Sequence, residues 1–233
     1  MRRLHTLITL VLLLCASTAP LLAQNAETTH SPLPVSGARY LGFKHKISYG
    51  DFCTSYVWAT TVENASWSII GPMRYKYLSK FKFKQTLGDL TVKAKMKQDL
   101  NAQEYATIAK VFGNRNIDKG YDYWGTVTDP GGSTWTMLCN TSFSDADFYC
   151  GEIYNPDTHE SLSIYGRNRS TSKDLFVFHP LFAYSFIYHD KVIATIDSED
   201  DGWVWIDATL QPEMQVVVAA CISSLLMLKW QLR

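Results

Sequence analysis

From Met214 to Leu228 the chain runs fifteen residues with almost no polar side chain. As an α-helix that stretch is about 22 Å long, short of the ~30 Å needed to cross hydrocarbon. Ser223 and Ser224 lie at its middle, and Lys229 follows it directly. A helix that is apolar on every side but too short to span is expected to be buried within protein. Pro212 and Glu213 stand where a helix starts: proline suits the first turn, and an acid there complements the helix dipole.

The rest of the chain supplies the enclosure. From about Arg39, runs of four to eight aromatic and β-branched residues alternate with turn clusters, the pattern of short strands. The expected strands are Ser55–Thr61, Trp67–Ile70, Arg74–Lys84, Thr91–Lys97, Tyr123–Thr128, Thr134–Cys139, Phe148–Tyr154, Leu162–Tyr165, Leu175–Phe178, Phe182–His189, Val192–Asp197 and Trp203–Ile206. A mainly β fold follows: a closed barrel of about twelve strands, threaded by the C-terminal helix. One further short helix is expected near 102–112. Asn101 and Glu104 have capping-box spacing, Tyr105, Ile108, Ala109 and Phe112 share one face, and Gly113 ends it.

The N-terminus reads differently. Arg2 and Arg3 precede an apolar stretch from Leu7 to Cys15, then small residues and Leu21-Leu22-Ala23. That order marks a secretory signal. The expected organisation is a signal peptide over 1–23, a flexible lead over 24–38 and a barrel domain over 39–233. Export, to the outside or to a periplasm, is the corresponding location. The alternative is an uncleaved N-terminal segment that anchors the chain to a membrane. Export permits disulfides, and Cys139 and Cys150 flank a polar loop that one could close. Cys221 lies in the apolar run and reads as a small core residue.

A net charge of zero hides a segregation. Between Arg74 and Lys97 stand eight basic residues and one acid, Asp89. Lys80-Phe81-Lys82-Phe83-Lys84 and Val92-Lys93-Ala94-Lys95-Met96-Lys97 both alternate with period two. A two-residue turn at Gly88-Asp89 joins them as a hairpin. Lys84 then faces Lys93, Lys82 faces Lys95 and Lys80 faces Lys97, all on one side. Like charges directly opposite destabilise a hairpin. Such a face either serves as a solvated, aggregation-resistant surface or binds anions. It lacks arginine and interleaved exposed aromatics, which disfavours nucleic acid.

Asp197, Glu199, Asp201 and Gly202 match positions 1, 3, 5 and 6 of a calcium loop, but position 12 is Ala208 rather than glutamate. The stretch reads as a hairpin turn or as an incomplete Ca2+ site. No GxSxG, HExxH, P-loop or dinucleotide fingerprint occurs. The pairs His159-Glu160 and His189-Asp190 lack a third partner and read as turns. The chain is therefore expected to be non-enzymatic and to need no cofactor.

Three segments carry a resemblance: Val192-Ile193-Ala194-Thr195-Ile196-Asp197, Trp203–Ile206, and Pro212-Glu213-Met214 leading into Val216–Leu228. Together with the strand, Leu-Gly turn and strand from Tyr77 to Val92, these segments resemble the tubby C-terminal-like superfamily. That group includes LURP-one-related proteins and phospholipid scramblases. The resemblance implies a twelve-stranded barrel around a central helix, with basic strand residues that bind lipid phosphates. It extends from about Tyr40 to Arg233, and it implies for Lys80, Lys82, Lys93 and Lys95 the role of phosphate ligands. The scramblase-like likeness implies a calcium segment before the final helix. The export signal, the helix near 102–112 and the missing cysteine-rich region depart from the group.

The expected function is an exported binding module. Lys80, Lys82, Lys84, Lys93, Lys95 and Lys97 would meet anionic lipid head groups or another acidic or phosphate-bearing ligand. The alternatives are a calcium-responsive scramblase-like membrane protein and a scaffold that binds partners.

Overall fold

The computed structural model describes residues 31–37, 46–66, 74–99, 121–140, 147–167, 183–197 and 202–231. The expected strands at 67–70 and 175–178 and the expected helix near 102–112 lie outside the described residues, as does the signal over 1–23.

The strands are β1 (Leu33–Pro34), β2 (Ser48–Tyr49), β3 (Phe52–Thr54), β4 (Trp58–Ser66), β5 (Arg74–Leu87), β6 (Leu90–Asp99) and β7 (Tyr123–Thr128). They continue with β8 (Thr134–Cys139), β9 (Asp147–Tyr154), β10 (Ser161–Arg167), β11 (Ala183–Tyr188), β12 (Lys191–Asp197) and β13 (Trp203–Ile206), followed by the helix α1 (Pro212–Gln231). From β5 to β13 each strand pairs antiparallel with the next, and β13 pairs with β1. The other flank of β5 is shared. Gln85–Leu87 pair with β3 and Arg74–Lys82 pair with β4, so these two strands fill one position in succession. Twelve strand positions result, in a nearly closed barrel.

Among the described residues the seam is a single bridge. Ser36 and Ser48 exchange backbone hydrogen bonds of 2.9 and 3.1 Å, and their hydroxyls lie 2.7 Å apart. This corrects one boundary. Residues 33–36, expected in the flexible lead, instead pair with Val204, Trp203 and Ser48. A two-residue strand containing Pro34 has no hydrophobic alternation to read, and proline is tolerated at such a margin.

Inside the barrel sits α1. Residues 216–227 are all buried, packed among inward side chains such as Phe81, Phe83, Met137, Ile153, Ile164, Phe186 and Ile193. Burial on all sides matches its apolar circumference. No helix among the described residues is long and apolar enough to cross a membrane. Pro212 is the first helical residue and Glu213 stands in the first turn.

The central serines have partners in the wall. The Tyr49 hydroxyl donates to the Ala219 carbonyl at 2.7 Å and lies 3.0 Å from Ser223 Oγ. Ser223 Oγ in turn donates to Gln85 Oε1 at 2.7 Å. Ser224 Oγ donates to Cys221 O at 2.6 Å, and the Tyr123 hydroxyl donates to Ser224 O. The residues that made the segment a poor membrane span are those that tie it to β2, β5 and β7.

Candidate anion-binding face

The hairpin β5–β6 turns at Gly88-Asp89, where Gly88 has φ +54° and Leu87 pairs with Leu90. A glycine with positive φ at the first turn position is the type II′ arrangement, which suits the strand twist. Register then follows from alternation. Lys80 pairs with Lys97, Lys82 with Lys95 and Lys84 with Lys93. Phe81, Phe83, Val92, Ala94 and Met96 are buried, so the lysines point outward. Lys80, Lys82, Lys84, Lys93 and Lys95 are exposed, and Lys97 is half-buried.

Strand geometry roots these side chains on a lattice of about 5 Å across strands and 7 Å along them. None of the strand positions paired with them is acidic. Lys93, Lys95 and Lys97 face Thr128, Thr126 and Trp124 on β7, while Lys82 and Lys80 face Trp58 and Thr60 on β4. Each cross-strand lysine pair costs a few tenths of a kcal/mol up to about 1 kcal/mol relative to neutral pairs.

Three residues at the margins of this face escaped the sequence reading. Lys97 Nζ lies 4.7 Å from the Trp124 ring centroid, and Lys46 Nζ lies 5.0 Å from that of Tyr56. Ser55 donates its N–H to Lys84 O, which brings its neighbour Tyr56 to the β5 edge. Tyr56 is 51% exposed. Trp124 was legible, since the phase of β7 puts it outward beside Lys97. Lys46 and Tyr56 meet only because the β2–β3 hairpin folds back between them. The two aromatics do not reopen a nucleic-acid reading on stacking grounds, because a lysine already covers a face of each ring.

Of the three metal candidates only Asp197 lies within the described residues. Asp197 ends β12 and is buried, with Glu199 and Asp201 outside the described residues. Among the described residues no group of three or more His, Cys, Asp or Glu is placed to hold a metal ion. Cys139 and Cys150 do meet, as thiols: their sulfurs are 3.8 Å apart and Cys139 donates. His159, His189 and Asp190 all have positive φ, which places both histidine-containing pairs at turns. Tyr154 Oη lies 3.0 Å from His159 Nδ1.

A concavity opens where α1 begins. A cleft of about 400 Å3 is lined by Asp129, Trp135, Glu160, Tyr188, Glu213 and Met214, among others. Its carboxylates already have structural work. Asp129 accepts the Ser133 N–H at 3.0 Å, and Glu160 accepts from Tyr188 Oη at 2.7 Å and Thr158 Oγ1 at 2.9 Å. Glu213 faces the helix dipole. The Glu160 bond, together with burial, raises the Tyr188 hydroxyl to about 12.

Compared with known proteins, the chain matches no family, no curated protein and no solved structure.

Proposed function

We propose that the protein is a non-enzymatic, exported binding module whose β5–β6 face engages phosphate-bearing anions, foremost anionic lipid head groups. One observation carries this reading: three lysine–lysine cross-strand pairs, with no acidic register neighbour on β7 or at Trp58 and Thr60. A merely soluble surface needs charge but gains from mixing signs, because opposite charges across a hairpin stabilise it. A single-sign face costs stability, and an anionic partner recovers that cost. Tyr56 and Trp124 add amphipathic rings at the two flanks, suited to head-group depth. The barrel around a buried helix supports membership of the tubby-like superfamily, which we propose on the resemblance of Pro212–Leu228 and its preceding strands.

Lysines close to an anionic surface contribute roughly 1 kcal/mol each. Replacing Lys82, Lys84, Lys93 and Lys95 together with glutamine should weaken binding to anionic vesicles by about a thousandfold at low salt. Neutral vesicles should bind neither protein. The wild-type affinity should fall steeply with salt, whereas the variant's should not. Salt-insensitive binding, or equal binding by both proteins, refutes the reading.

A further inference from the structure

The ladder pairs Cys139 with Gly151, so Cys150 sits one step away from the residue opposite Cys139. In a regular strand that step would put the two cysteines on opposite faces. Both are buried nonetheless, at 0% and 1% exposure. The pairing of β9 with β10 explains it. Ile164 pairs with Gly151 and Tyr165 with Tyr149, and Cys150 is skipped. Cys150 is the extra residue of a β-bulge, which turns its side chain inward beside Cys139. Gly151 permits the close approach: a Cβ there would overlap the Leu138 carbonyl oxygen and crowd Cys139 Cα. The bulge and the glycine together deliver two sulfurs to a separation of 3.8 Å, with Cys150 also donating to Ile164 O at 3.3 Å.

We propose that Cys139 and Cys150 close into a disulfide while the chain folds, stapling β8 to β9 before the barrel shuts around α1. The step is thiol–disulfide exchange. One cysteine thiolate attacks a disulfide donor, protein or small molecule, and expels one donor thiol. The second cysteine then attacks the mixed disulfide and expels the other. Two cysteine protons leave, the S–S bond forms, and the donor is reduced to two thiols. Access decides the timing. Both thiols are enclosed in the finished barrel, where the bond to Cys150 and burial push the Cys139 thiol well up and withhold the thiolate. A pair left reduced at closure stays reduced. The proposal is independent of the lysine face.

The test is to refold the denatured, reduced full chain in a buffer of glutathione and glutathione disulfide. The product is denatured in N-ethylmaleimide without reductant and mapped by peptide mass. The expected result is a Cys139–Cys150 cross-linked peptide lighter by two hydrogens, with Cys53 and Cys221 alkylated. A second sample is refolded in reductant and exposed to glutathione disulfide only afterwards. It should show at least a tenfold slower cross-link. Alkylated Cys139 and Cys150 in the first sample overturn the proposal. So does a bridge from either to Cys53 or Cys221, or equally fast closure in both samples.

Discussion

Lys191 Nζ donates to Asp207 Oδ2 at 2.6 Å, joining the start of β12 to the segment that leads from β13 into α1. Asp207 also accepts the Thr209 N–H at 2.9 Å and its hydroxyl at 2.7 Å. Burial acts to raise the Asp207 carboxyl, but these donors outweigh it and hold it at about 2. The folded state therefore binds the proton less readily than the unfolded chain. The resulting stability is present above pH ~4 and is lost as the pH falls towards about 2. The Lys191 side chain is 65% exposed, so solvent screens the pair and the contribution is on the order of 1 kcal/mol. Urea unfolding from pH 6 down to pH 2 should show this loss in the wild type, and a flatter profile in Asp207→Asn.

The β11–β12 hairpin turns at His189-Asp190 with φ +49° and +59°. Both central residues occupy the left-handed region, the type I′ arrangement that favours glycine. The His189 ring stacks on Tyr188 at 3.9 Å, so His189 has a compensating contact. Asp190→Gly should raise stability by about 0.5–1 kcal/mol in chemical denaturation. A loss would mean that the Asp190 carboxylate holds the turn.

Gly125 on β7 faces into the barrel, where a Cβ would overlap the Lys95 carbonyl oxygen and Met96 Sδ. The methionine end can move, whereas the backbone oxygen is held in the β6–β7 ladder. Gly125→Ala should cost roughly 2–3 kcal/mol, measured as a lower denaturation midpoint with an unchanged slope.

Lys95→Glu should separate fold from function. It turns the Lys82–Lys95 pair into an opposite-charge pair and should stabilise the hairpin by about 0.5 kcal/mol. The same change alters the face by two charges, roughly 2 kcal/mol at an anionic surface, so vesicle binding should fall about thirtyfold. Denaturation and vesicle sedimentation on one preparation read both effects. Unchanged vesicle binding would count against the face as the binding surface.

Much of this was legible where the information is local. Tyr123–Thr128, Thr134–Cys139 and Trp203–Ile206 coincide with β7, β8 and β13, because alternation and turn residues within a few positions specify them. The lysine register was legible for the same reason: two period-two runs flank a two-residue turn. The strands β1, β2 and β3 were not, being two or three residues long and thus shorter than any periodic signal. The inward turn of Cys150 was also hidden, since a bulge is set by the partner strand rather than by the residue itself.

The sequence alone determined the phase of each strand face and the unsuitability of Met214–Leu228 as a span, because both depend on neighbours along the chain. Tertiary structure decided where the helix lies, how the barrel closes and which marginal residues join the lysine face. Those outcomes rest on contacts between residues far apart in the chain, such as Leu33 with Val204 and Tyr49 with Ser223. No local pattern encodes such pairs. They are made where the sheet wraps around α1 and its edges come within hydrogen-bonding reach.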